Sequence, residues 1–189
     1  SNSDWDQLFN TPGYKVLTRS EFSRSFFEDN FRLVFKPNLK NELEKALKSK
    51  KNIHHLGHYI KIRDNKDLIR KQLKKIKNTA YSRKAVKRTL EYLPQFSVSK
   101  YPPVSFLIFE SNGRGSSPIV VDLAATIEWD FLSFLSHEYH HWYRNRQLKY
   151  KLNSVSRDDI PILDAITLVE AEGIADMVDK FDWFNKPSN

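Results

Sequence analysis

The sequence predicts a predominantly helical α+β protein, with a small antiparallel sheet placed just before a long helix. Three observations carry that expectation. Glycine is scarce at five while aromatic residues make up 13% of the 189 residues, a balance that suits packed helices. Apolar residues recur at helical spacing through most of the chain. Only two runs are β-prone, VSFLIF from Val104 to Phe109 and IVVDL from Ile119 to Leu123, and the turn-rich SNGRGSS lies between them.

Taken in order, Asp4 to Asn10 predicts a short helix closed by a Pro12-Gly13 turn. Thr18 to Phe35 follows, with Phe22, Phe26, Phe27 and Leu33 on the apolar side, Thr18 or Ser20 as cap, and Pro37 as the stop. Leu39 to Leu47 is amphipathic. Asp64 to Lys77 and Thr79 to Leu93 are basic helices, the second stopped by Pro94. After the two β-prone runs comes a long helix over about Ile127 to Gln147. A polar connection from Asn153 to Asp159 leads to a last helix, opened by Pro161 and reaching about Phe181. The reading is one domain overall, with a helical region over 1–100 packed on a catalytic part over 101–189.

Charge narrows the partners. The formal net charge is +8, yet Lys61 to Arg88 holds twelve Lys/Arg against Asp64 and Asp67, so the rest of the chain is slightly acidic. Such a run is ordinarily a solvated face. Weak polyanion contact is expected there, and specific nucleic-acid binding is not. The SNGRGSS loop lacks the G-K-S/T ending of a phosphate-binding loop. No apolar run approaches the ~18–20 residues of a membrane span. With no cysteine in the chain, a metal would have to be held by His, Asp or Glu.

Such ligands are concentrated at His137-Glu138-Tyr139-His140-His141. On a helix, His137 and His141 are four apart and point two imidazoles the same way. Glu138 can reach water on a shared ion, which is the H-E-x-x-H arrangement of zinc peptidases. His140 is not required by that motif. Catalytic zinc usually takes a third protein ligand and a water. A metzincin would need Gly at 144 and His at 147, where this chain has Arg144 and Gln147. The last helix offers Glu170-Ala-Glu-Gly-Ile-Ala-Asp176. Glu172 is preferred as ligand over its competitor Glu170 because Asp176 lies one turn on, able to accept a histidine ring N–H. Gly173 is expected where this helix presses against the H-E-x-x-H helix. His54, His55 and His58 contain a second i, i+4 pair but no local acidic partner, so a loop or helix-end cluster is preferred to a second metal site.

HEYHH followed by EGIAD resembles the gluzincin branch of zinc metallopeptidases, and within it the predicted zinc-dependent peptidases that pair a helical N-terminal part with HEYHH and an EG-x-A-D/E segment. The resemblance covers about Val104 to Asp179 well and the first hundred residues loosely. It departs from thermolysin-like gluzincins in the longer spacer, thirty residues between His141 and Glu172. It implies a zincin-like fold, one Zn²⁺ on His137, His141 and Glu172, Glu138 as general base and then acid, and a peptide or protein substrate. It also implies a strand beside the metal helix that pairs with an extended peptide, a role for either β-prone run. Tyr143, Tyr150, Arg157 and His140 are all candidates to stabilise the oxyanion. The alternatives are a zinc-binding fold that does not cleave peptides, and a basic binding module with incidental histidines.

Overall fold

The computed structural model describes residues 2–50, 52–93, 101–147 and 155–180. It is mostly helical, as expected, and divides into two compact units. One comprises Ser1–Thr79 with Pro103–Trp129, the other Ala80–Pro102 with Asp130–Asn189.

The first unit begins with α1 (Asn2–Phe9), α2 (Pro12–Ser20) and α3 (Arg24–Phe35). Pro12 does not simply turn the chain. It occupies the first turn of α2, where its missing N–H has no helical partner to lose. The single helix expected from Thr18 to Phe35 is broken after Ser20. Ser23 starts α3 by accepting the Phe26 N–H at 3.1 Å, so the start signal lies inside the apolar pattern. Next come α4 (Lys40–Lys48), α5 (Ile53–Asp64) and α6 (Lys66–Asn78). The HHLGHYI stretch, read as a loop or helix-end cluster, is therefore the body of α5. It is anchored by buried Leu56, Tyr59 and Ile62.

These helices enclose an aromatic core built from Phe9, Tyr14, Phe27, Phe31 and Tyr59. The rings meet mostly edge-on or tilted, at centroid separations such as 5.3 Å for Tyr14–Phe27 and 5.2 Å for Phe31–Tyr59, in the range where the ring quadrupoles attract. Tyr14 also donates its hydroxyl to the Ile108 carbonyl. Gly13 is needed for this contact. A Cβ there would lie 2.8 Å from atoms of both Ser105 and Leu107, so only glycine lets α2 approach the sheet.

The sheet has three strands, β1 (Val104–Leu107), β2 (Gly113–Arg114) and β3 (Ile119–Asp122), in the order β1-β3-β2. It is mixed rather than antiparallel. β3 pairs parallel with β1 and antiparallel with β2. The stretch between β1 and β3 carries the chain past the central position to β2, whose tight return inserts β3 in the middle. β3 is thus fully buried and paired on both edges at Val120 and Val121, so those residues offer no open edge to an incoming peptide.

Asp122 ends β3 at zero exposure and is fully employed. Its carboxylate accepts the backbone N–H groups of Phe109 at 2.8 Å and Ala124 at 2.7 Å, and lies 3.0 Å from His58 Nε2. The acidic partner absent around His58 locally comes from 64 positions along the chain. His55 instead packs against Phe22 and Phe26, and His54 is exposed. The three histidines do not converge.

In the second unit lie α7 (Tyr81–Leu90), α9 (Phe131–Gln147) and α10 (Ile160–Asp179); the short α8 (Ala125–Glu128) belongs to the first. The long helix expected from Ile127 is interrupted at Trp129-Asp130. Asp130 takes up a new start by accepting from the Leu132 N–H and the Ser133 hydroxyl. α9 is held on one side by α7, where Thr89 donates to the Ser136 carbonyl at 2.9 Å and Arg88 to the Ser133 hydroxyl. α10 packs along α9 with Ala171, Ala175 and Val178 buried.

Candidate metal centre

From residue 131 to residue 144, α9 is buried almost all round, and only Leu132, His137 and His141 are half-buried. A helix packed on most sides thus leaves its i, i+4 histidine pair partly open. α10 brings a third donor to the same place. Nε2 of His137 and Nε2 of His141 are 3.0 Å apart, and Oε2 of Glu172 lies 3.6 and 3.5 Å from them.

Those separations test whether a metal fits. A point equidistant from the three donors sits about 2.0 Å from each, the bond length zinc takes to imidazole nitrogen and carboxylate oxygen. Two borderline nitrogens and one hard oxygen, with Glu172 still 54% exposed at its side chain, leave an open position for water. The His141 ring agrees with that role. Burial first, and the neighbouring His137 second, hold the His141 pKa below its usual value, and a metal ligand must be the neutral imidazole.

Asp176 is near but not bonded to the pair. Its Oδ1 is 3.8 Å from His137 Nδ1, beyond hydrogen-bond reach, while Oδ2 accepts from Lys180 Nζ at 2.9 Å. That bond to Lys180 is the largest influence holding the Asp176 carboxyl below its usual range. Asp179 joins His137 and Asp176 in a second grouping of donor atoms within 4.8 Å of one another. Burial raises its pKa. Asp179 was not anticipated, although Glu172, Asp176 and Asp179 follow an i, i+4, i+7 spacing that puts three carboxyls on one flank.

Glu170 is placed elsewhere. It forms an ion pair with Arg144 of α9, whose side chain is only 4% exposed and also donates to the Thr167 carbonyl at 3.3 Å. Gly173 is likewise not at the helix contact. It is exposed, and a Cβ there would meet no atom within 4 Å. The small residues that admit α9 are Ala171 and Ala175, on the opposite side of α10.

Glu138 is buried at 4% exposure, directly after His137. Of the four candidate oxyanion donors, Tyr143 is buried and stacked on Tyr139, with burial raising its pKa to about 12. Arg157 is exposed in a 3-10 turn just before α10. Tyr150 lies outside the described residues. His140 is fully buried, 5.9 Å ring to ring from His141, and neither of its ring nitrogens has a hydrogen-bond partner among the described residues.

Burial pushes the His140 pKa down to about 4. The unfolded chain binds a proton at His140 below about pH 6.5, whereas the folded chain refuses it until about pH 4. Stability is therefore fully present above pH 6.5 and falls on acidification through that window. His140→Phe should flatten this part of the pH–stability curve, as read from urea midpoints between pH 4 and 7. An unchanged slope would remove His140 from the account.

The sequence matches the family described as "Putative zinc dependent peptidase (DUF5700)" over residues 5–189. No curated protein and no solved structure matches the chain.

Proposed function

The chain belongs to that family, and on this premise we propose that it is a gluzincin-type zinc peptidase whose ion is held by His137, His141 and Glu172. The observation that carries the reading is the convergence of three donors from two helices on a point about 2.0 Å from each.

When bound there, zinc lowers the pKa of its water to about 7 and polarises the scissile carbonyl. The chain supplies the rest. His137 and His141 present their Nε2 atoms from the buried α9. Asp176 sits on the Nδ1 side of His137, where a small approach would let it accept the ring N–H and fix the tautomer. Glu138 takes a proton from the attacking water on its carboxylate and returns it to the leaving amine. Arg144 and Glu170 tie α9 to α10 and so keep the donors in register.

Purified protein should cleave an unfolded protein substrate, lose that activity to a chelator and regain it with stoichiometric Zn²⁺. Cleavage that persists after verified removal of metal would contradict the proposal. Zinc binding without any cleavage would leave a metal-binding fold in its place.

A further inference from the structure

Among the described residues, the first half of α10 has an exposed apolar side. Ile162, Ile166 and Val169 are 61%, 59% and 73% exposed, Leu168 is 61% exposed, and Met177 continues the surface at 45%. Ile162, Ile166 and Val169 are spaced i, i+4, i+7, so they form one stripe, and Gly173 falls on its continuation. Scattered apolar residues on a surface are ordinary, but a continuous stripe of this kind marks something that lies on it. The helix does not need the stripe to stay in place, because Ala171, Ala175 and Val178 pack on the opposite side.

We propose that this stripe is the platform for the substrate, and that the substrate class is an extended polypeptide segment rich in apolar side chains. The inference rests on the metal-centre reading and deepens it. Leu168 and Val169 stand four and three positions before Glu172, one helical turn from its carboxylate. From Ile162 to Glu172 the helix rises about 15 Å, the length of four to five residues of extended chain. A segment lying on the stripe therefore reaches the three-donor centre within its own length. Gly173 stands at the junction with open space around its missing Cβ, so a substrate backbone can come close to the helix there.

A second copy of the chain fits this surface poorly. The stripe runs into Glu172 and Asp176, both 54% exposed at the side chain. A dimer closing on it would have to desolvate those carboxylates. A substrate has to end beside them.

The test uses the zinc-loaded chain and two internally quenched peptides of equal length, one rich in Leu and Val, the other in Ser and Gln. Wild type should prefer the apolar peptide through KM. The Ile162→Ser/Ile166→Ser/Val169→Ser variant should reduce that preference about tenfold or more, since three apolar side chains no longer contact the peptide. Its zinc content and melting temperature should be unchanged. Ile166→Ala should give a smaller shift in the same direction. In parallel, fluorescence anisotropy of the labelled apolar peptide on the Glu138→Gln variant should show the same tenfold weakening when the stripe is replaced. If wild type cleaves neither peptide yet binds the apolar one through the stripe, the hydrolase reading fails and the platform stands. Three results overturn the platform: a preference unaffected by the triple variant, no binding of the labelled apolar peptide, or a wild-type dimer in sedimentation that the triple variant dissolves.

Discussion

Replacing Glu138 with Gln should reduce kcat by about a thousandfold or more while zinc stays near one ion per chain, in keeping with the 10²–10⁴-fold typical of general acid–base catalysis and the two proton transfers assigned here. The substitution keeps the volume of a side chain that is 4% exposed, so packing is not disturbed. It removes the ability to take up and release a proton. Because Glu138 is not among the three convergent donors, metal content should not follow activity. The measurements are steady-state cleavage and elemental analysis on the same preparation. Normal activity with zinc present would mean that another group handles the proton.

Replacing Glu170 with Gln should cost about 2–3 kcal/mol of stability. Breaking a buried ion pair by removing one partner usually costs 3–5 kcal/mol, because a charge is left behind in a poorly solvated place. Arg144 is that charge, at 4% side-chain exposure, whereas Glu170 is 38% exposed and water can partly take its place, which sets the lower value. For a chain of 189 residues this is a fall in melting temperature of roughly 5–10 °C. The double variant Arg144→Met/Glu170→Leu should recover most of the loss, since no unpaired charge remains. Additive losses in the double variant would show that the pair does not act as a unit.

The grouping of His137, His141 and Glu172 was legible in the sequence because its geometry is mostly local. The i, i+4 spacing of His137 and His141 requires only that α9 be a helix, and the same rule groups Glu172 with Asp176 on α10. What the sequence did not contain was the rotation of α10 about its own axis. Gly173 looked like the place for a close helix contact because it lacks a side chain. Ala171 and Ala175 make that contact, and Gly173 points away. The same rotation sends Glu170 to Arg144, a pairing hidden among the many charges of a basic chain.

Long-range pairing hid the remaining features. The role of His58 depends on Asp122, and α5 was obscured because its apolar residues are interleaved with three histidines. The direction of β1 relative to β3 depends on the path between them, which neither run encodes. The helix breaks at Ser23 and Asp130 had side-chain signals, but each lay within a stretch whose apolar periodicity continued across it.

The most direct test is zinc affinity and coordination in wild type and in Glu172→Ala. Wild type should bind one Zn²⁺, with X-ray absorption showing two imidazole nitrogens and a carboxylate oxygen at about 2.0–2.2 Å. Losing the carboxylate should weaken binding by about a hundredfold or more, beyond the 10–100-fold typical of groups that only support a ligand. Equal zinc affinity and an unaltered absorption spectrum in the two proteins would contradict the assignment of Glu172, and with it the three-donor centre.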